Sequence, residues 1–322
     1  MRMSTGLTVL IGEDIGEANL DRLHREFPGV RFLTAFTPEE MLAAAPEVDV
    51  VFTKRLQPQF LAAARRLRWV QAGVAGVERM LAIGLRERDV VLTNARGAHG
   101  VPIAEFVLSM MLTFATGLHL LVRAQLERRW AFETVVGSKF ELEGQRLCVL
   151  GAGDIGSTLC RKAASLGMHV TAVRRGIASL PHAHETRTWT ELLDLLPSAD
   201  HVALCLPHTS ETEGIVGERE LRAMRSTAYI YNVGRGGAID PSALLLALRE
   251  GWIAGAGLDV TSPEPLPEDS PLWSMPNVLL GQHTSGSSPL NADRITAIFM
   301  ENLGRYLRGE PLTNVVDKAR GY

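Results

Sequence analysis

Residues 148–160 read CVLGAGDIGSTLC. The apolar run Cys148–Leu150 meets Gly151, and a helical pattern opens a few residues later. Gly151, Gly153 and Gly156 stand in the order G-x-G-x-x-G, directly between that strand and that helix. The chemistry of such a turn is specific. Its first glycine permits the tight turn, the second lets backbone approach a pyrophosphate, and the third lets helix and strand pack closely, while the helix N-terminus favours an anion. Asp154 and Ile155 complete the turn. The bland alternative is a structural turn in a chain that holds 30 glycines.

The next apolar strand pattern, HVTAVRR, ends at Arg174, 18 residues after Gly156, and Arg175 follows. An acid at this place hydrogen-bonds ribose hydroxyls and selects NAD, whereas arginine accommodates a 2′-phosphate and selects NADP. Arg174 and Arg175 offer a planar, phosphate-matched fork and no repelling acid. NADP is therefore the expected cofactor, with NAD as the second option. The competing reading is a solvated basic turn.

Outward from this turn, apolar runs and helical patterns alternate along most of the chain. Before it come the strand candidates LTVLIG, VRFLTA, VDVVFT, LRWVQAG and VVLTNA, with helical stretches such as GEANLDRLHREF, PEEMLAAA and QFLAAARR between them. After it come HVALCL, AYIYNVG, IAGAGLDV and NVLLGQH, with the helical stretches TWTELLDLL, ERELRAM and PSALLLALREG. This alternation predicts an α/β fold with parallel sheets covered on both faces. Between the two series, Val101 to Trp130 reads as one long helix, apolar almost all round at its centre. Such a helix packs on more than one surface, and a homodimer is expected. From Asn291 the chain reads as a final amphipathic helix and a tail expected to fold back on the first series.

The chain has 322 residues, enough for two domains. A formal charge of −3 gives no global footprint for nucleic acid, and no apolar stretch reaches the roughly 18 residues of a membrane span. No nucleic-acid or membrane partner is expected. The N-terminus lacks the pattern of a secretory leader. Cys148, Cys160 and Cys205 are odd in number, without C-x-x-C spacing, and suit buried thiols in a reducing cytoplasm. No metal is expected.

Several blocks in order resemble the D-isomer-specific 2-hydroxyacid dehydrogenases, of the glyoxylate/hydroxypyruvate reductase kind. LEGQRLCVLGAGDIGSTLCRKAASLGMHV resembles the family's cofactor turn, and CLPHTSETEGIVGERELRAMRSTAYIYNVGRGGAIDPSALLLALREGWIAGAGLDV its central signature. TSPEPLPEDSPLWSMPNVLLGQHTSG is similar to the segment that carries its acid and histidine, and QAGVAGVERM and VPIAEFVLSMML to pieces of its first half. The resemblance implies two Rossmann-like or flavodoxin-like domains with parallel sheets, the cofactor domain inserted in the substrate domain. The substrate domain is expected at 1–99 and 289–322, and the dinucleotide-binding domain at 100–288.

The resemblance also implies roles. Arg235, Glu264 and His283 correspond to the catalytic arginine, glutamate and histidine. In open α/β sheets ligands bind outside the carboxyl ends of strands, where all three lie. One arginine fork can hold a 2-keto acid's carboxylate and polarise its carbonyl. The histidine can protonate the developing alkoxide, and the glutamate can orient the ring and favour imidazolium. Leu206, Pro207 and Thr212 are expected near the adenosine and ribose, Ile103 against the nicotinamide, and Val233, Gly234 and Gly286 along the cofactor. Asp259, placed with them, either tunes the histidine network or caps its loop. Val74, Ala75 and Gly76 match the loop whose amides receive the substrate carboxylate. Lys54 is either a substrate contact or an exposed lysine. His99 and His208 read as hydrogen-bonding loop histidines. The family often has an aromatic residue and an acid where this chain has Thr261 and Ser262, so the pocket edge differs. The expected activity is NADPH-preferring reduction of a small 2-keto acid to a D-2-hydroxy acid. A cofactor-sensing corepressor on the same fold is the alternative, and an acid–base pair speaks against it.

Overall fold

The computed structural model describes residues 6–176 and 178–321. Residues 1–5, the first part of the N-terminal stretch considered above, lie outside the described residues. The chain forms two compact units, Met1–His99 with Ser288–Tyr322, and Gly100–Ser287.

The first unit is built on strands β1 (Thr8–Ile11), β2 (Arg31–Thr34), β3 (Val50–Thr53), β4 (Trp69–Ala72) and β5 (Val91–Thr93). They form a parallel sheet in the order β2-β1-β3-β4-β5. The runs β1, β3 and β4 are buried on both faces. Leu10 joins one core, while Val9 and Ile11 join the other, as the two-residue period of a strand requires. The helix Asn291–Arg308 closes the second core with Ile295, Phe299, Met300 and Leu303. Phe299 lies 4.7 Å from Phe52 and 5.5 Å from Trp69, ring to ring. A buried polar chain fixes this helix further. Trp69 Nε1 donates to Thr93 Oγ1 at 2.8 Å, Thr93 Oγ1 reaches Gln71 Oε1 at 2.8 Å, and Asn302 Nδ2 donates to the same oxygen at 3.3 Å.

The second unit holds β6 (Arg146–Leu150), β7 (His169–Val173), β8 (Glu185–Arg187), β9 (His201–Leu204), β10 (Tyr229–Asn232), β11 (Gly255–Leu258) and β12 (Val278–Leu280). All pair in parallel, in the order β12-β11-β10-β9-β6-β7-β8. Cys148 and Leu150 face one core, and Leu147 and Val149 the other. The expected α/β architecture with two parallel sheets is what the chain adopts.

Three local expectations need correction. The segment read as one helix from Val101 to Trp130 is two, Gly100–Thr116 and Leu118–Leu126, bent by 70°. Gly117 makes the break with φ of +68°, and a Cβ there would lie 2.9 Å from Val135 Cγ1. Glycine reaches this backbone region without the penalty other residues meet. TWTELLDLL is not one helix but a sequence of short turns, Trp189–Glu191, Leu192–Leu195 and Leu196–Ser198. Strand β7 ends at Val173, so Arg174 is the first residue beyond it, with its amide held by the Arg187 carbonyl at 3.0 Å. Among the described residues no single helix is long and apolar enough to cross a membrane.

His201 on β9 is fully buried between Tyr231 Oη, 3.1 Å from Nδ1, and Gln145 Oε1, 2.6 Å from Nε2. Burial disfavours the charged ring and pulls its pKa from 6.5 to about 4. Below pH 6.5 the unfolded chain takes up a proton that the folded chain refuses until about pH 4. Stability must therefore fall as pH falls across that window, by up to about 3 kcal/mol from this group. Melting followed from pH 7 to pH 4 should show the loss, and His201→Asn should make the slope shallower.

Candidate active site

The turn after β6 is built on close backbone contacts. Gly151 has φ of +94°, and a Cβ there would sit 2.7 Å from the Cys205 carbonyl oxygen. At Gly156 the nearest atom would be the Gly151 oxygen, at 2.1 Å, so only glycine lets the helix Asp154–Ser165 pass so near the strand. Gly153, at the cap of that helix, faces open space instead. A Cβ there would project into the room left before the first free amides of the helix. This cradle fits a dinucleotide pyrophosphate. Asp154 and Ile155 begin the helix, and the Asp154 carboxylate packs against Gly100.

Neighbouring strand ends complete the face. Leu206 is buried after β9, and Pro207 offers its carbonyl to Thr212 Oγ1 at 2.7 Å. Thr212 Oγ1 also accepts from the Thr209 amide at 2.9 Å, which closes the loop. After β10, Asn232 holds the next turn from both sides. Its Oδ1 accepts from the Gly234 amide at 3.1 Å, and its Nδ2 donates to the Arg235 carbonyl at 2.9 Å. A Cβ on Gly234 would lie 2.5 Å from the Leu206 oxygen. Ile103 and Val233 are buried in one apolar cluster with Ala152, beside the glycine turn. Arg174 is half-buried, and Arg175 pairs with Glu211 at 2.6 Å. Both partners of that pair are exposed, and such pairs contribute only ~0.2–1 kcal/mol.

Arg235, Glu264 and His283 lie beyond β10, β11 and β12 respectively. Arg235 Nη1 donates to the Gly234 carbonyl at 2.8 Å, and Gly236 packs so tightly on Thr261 that no Cβ could be added. His283 Nδ1 lies 2.6 Å from Glu264 Oε1. A carboxylate only accepts, so Nδ1 carries the proton and Nε2 is left for chemistry. Gln282 and His283 have φ of +54° and +57°, a conformation that costs energy in residues with side chains and must be held from outside.

Asp259 does the holding. It is 2% exposed. Its Oδ1 accepts the Thr284 amide at 2.9 Å and the Ser285 amide at 3.2 Å, its Oδ2 accepts the Ser285 hydroxyl, and its carbonyl accepts the His283 amide at 2.6 Å. Of the two readings of Asp259, the geometry matches the cap of the histidine loop. Its carboxylate is engaged by that loop, which begins with Gly281 and continues into Gly286. His208 pairs with Glu213 at 3.0 Å, as a loop histidine would.

In the first unit, Val74, Ala75 and Gly76 follow β4. The Val74 carbonyl accepts the Ala95 amide at 3.0 Å, and the Ala75 carbonyl accepts Asn94 Nδ2 at 2.9 Å. Their own amides donate to no partner among the described residues. Amides left without a protein partner are the groups that an anion-receiving loop needs. Lys54, after β3, pairs with Glu13 at 2.8 Å.

Sequence reading passed over Asn232, Glu13 and Glu211. Asn232 had a signal, a polar residue ending the apolar strand YIYN. Glu13 had one also, an acid that follows TVLIG at a strand end. Among the described residues no cluster of side chains could hold a metal ion.

Comparison with known proteins agrees with this arrangement. Residues 108–285 match the family described as D-isomer specific 2-hydroxyacid dehydrogenase, NAD binding domain. A glyoxylate reductase of Korarchaeum cryptofilum is 32% identical over 320 residues, 96% of each chain. A solved D-isomer specific 2-hydroxyacid dehydrogenase from Xanthobacter autotrophicus, in complex with NADPH and MES, is 30% identical with a TM-score of 0.83, covering 99% of this chain and 100% of that one. The NADPH-dependent glyoxylate/hydroxypyruvate reductase of Sinorhizobium meliloti, in complex with NADP and sulfate, is 25% identical with a TM-score of 0.84, covering 98% and 100%. The chain belongs to the D-isomer specific 2-hydroxyacid dehydrogenases. It is an NAD(P)-dependent oxidoreductase of that family.

Asp259→Ala should release the Thr284 and Ser285 amides. Hydrogen exchange across residues 281–286 should then quicken while the rest of the second unit keeps its protection. Unchanged exchange would show that other contacts hold the loop.

Proposed function

We propose that the enzyme reduces a small 2-keto acid, of the size of glyoxylate or hydroxypyruvate, to the D-2-hydroxy acid, with NADPH preferred over NADH. The observation that carries this reading is the His283–Glu264 pair at 2.6 Å, between the loops after β12 and β11 of a sheet whose glycine turn fits a dinucleotide. In this reading the unit Gly100–Ser287 binds the cofactor and the other unit binds substrate. When bound, the cofactor supplies hydride to the carbonyl carbon. Arg235 grips the carboxylate and polarises the carbonyl. His283 gives its Nε2 proton to the carbonyl oxygen, while Glu264 fixes the ring and steadies the imidazolium charge. The amides of Val74, Ala75 and Gly76 receive the substrate carboxylate. In the oxidative direction His283 takes the proton back.

The preference for NADPH is supported by Arg174 and Arg175, whose guanidinium groups suit a 2′-phosphate. The exposed Glu211 partner is weakly held and yields to a doubly charged phosphate. The relatives in complex with NADPH and NADP agree with this choice. A homodimer is supported by apolar side chains exposed beside the bend, among them Leu118, Leu121, Val122, Leu126 and Trp130, the last 91% exposed. A cytoplasmic setting is supported by the thiols of Cys148 and Cys160, which burial pushes up to about 12 and makes inert.

Purified enzyme should oxidise NADPH with glyoxylate or hydroxypyruvate, and no turnover over a panel of 2-keto acids with either cofactor would end this reading. His283→Ala should lower kcat by about 100-fold. Arg174→Asp combined with Arg175→Ala should lower the NADPH to NADH ratio of kcat/KM by about tenfold or more, and an unmoved ratio would leave the pair a surface turn. Leu121→Glu with Val122→Glu should give a monomer in sedimentation.

A further inference from the structure

Glu13 follows β1 and is 9% exposed. Both its carboxylate oxygens are shut from solvent, and neither has an aligned hydrogen bond among the described residues. The one cation beside it is Lys54 Nζ, 2.8 Å from Oε2, and the Lys54 side chain is 52% exposed. Its other neighbour is Gly73, where a Cβ would lie 1.9 Å from Oε1. Gly73 in turn is fixed by its amide on the Thr53 carbonyl at 2.9 Å, and it leads directly into Val74, Ala75 and Gly76. The carboxyl ends of three adjacent strands, β1, β3 and β4, thus bring an acid, a cation and the proposed anion loop together.

The Glu13 carboxylate caps no backbone amide among the described residues. Asp49, the other buried acid near β1 and β3, accepts the Thr8 amide at 2.9 Å and pairs with Arg66, which is a structural task. Glu13 accepts no backbone amide. A buried carboxylate whose one close polar partner is a half-exposed ammonium is costly, and burial raises its pKa against the pull of Lys54. What it touches is the lysine ammonium on one side and the glycine that leads into the loop on the other.

We propose that Glu13 is a positioning residue that sets substrate range through Lys54. The inference rests on the reading that the Val74–Gly76 loop receives the substrate carboxylate. The far end of the substrate then meets Lys54. An unpaired ammonium would draw a second anionic group, as in a dicarboxylic or phosphorylated 2-keto acid. With Glu13 beside it the pair is neutral, and a second anion meets a fixed carboxylate behind the ammonium. A neutral end, a hydrogen or a hydroxyl, meets no such repulsion, and an N–H of Lys54 can donate to the hydroxyl oxygen.

The test is the ratio of kcat/KM for oxaloacetate to that for hydroxypyruvate, both measured with NADPH. Glu13→Gln keeps the shape and frees the ammonium, so the ratio should rise by about tenfold or more, mainly through a lower KM for oxaloacetate. Adding Lys54→Met should abolish the rise. Lys54→Met alone leaves the buried acid facing substrate and should lower the ratio below wild type, which keeps the test open should Glu13→Gln not fold. A ratio within about twofold of wild type in the single variants, or a rise that survives removal of Lys54, would overturn the inference while wild-type turnover of hydroxypyruvate left the functional reading standing. Wild-type enzyme inactive on both acids would overturn that reading, and this inference with it.

Discussion

Strand β6 is hydrogen-bonded on both sides, to β7 and to β9. The chain therefore leaves β6, builds the sheet in one direction through β7 and β8, then returns to build it in the other from β9. The crevice at that reversal opens above the Gly151 turn, and in open α/β sheets this is where ligands bind. Everything in the second unit's site follows from it. The turns after β9 and β10 come to lie beside the glycine turn, and they approach so closely that Gly151 and Gly234 leave no room for a Cβ. The glycines are consequences of backbone crowding at the switch point as much as invitations to a phosphate. Gly153, facing open space, is the exception, and it separates the binding requirement from the packing one.

The histidine loop answers a different constraint. An exposed ion pair such as His283–Glu264 contributes little to stability, so its geometry cannot depend on its own strength. Two consecutive residues in the left-handed region make the loop less favourable still. The fixed point is Asp259, whose two oxygens and carbonyl meet three successive residues from His283 to Ser285. Its burial at the end of β11 makes those bonds strong and leaves the loop few alternatives. The ring is thus oriented from behind by a buried acid and from the side by an exposed one.

Much of this was legible in the residues. Apolar runs with two buried faces mark parallel strands, and the strand–glycine–helix order marks the switch point. The positions of Arg235, Glu264 and His283 after strands could be read from the runs that precede them. Other features were hidden for physical reasons. β8, with the sequence ETR, has no apolar signal because it is an edge strand of three residues that buries little. The bend at Gly117 was masked by apolar residues on both sides, since a helix period continues across one glycine unless its backbone angle is known. Asp259 as loop cap and Glu13 as partner of Lys54 depend on residues 24–26 and 41 positions away in sequence, which no local pattern encodes.

The two cation–acid pairs show how burial decides what a charge can do. Arg175–Glu211 has both members in solvent, where water screens the attraction and either side chain can turn away. A pair of this kind is weakly held, and neither side chain is committed to the other. Glu13 has no such freedom. It is packed against Gly73 with both carboxylate oxygens out of water, where its charge is screened less than that of an exposed acid. The acid cannot leave its place, whereas the half-exposed Lys54 can. The two pairs thus differ in where the acid stands, Glu13 shut from solvent and Glu211 exposed, even though each sets one acid beside one basic side chain.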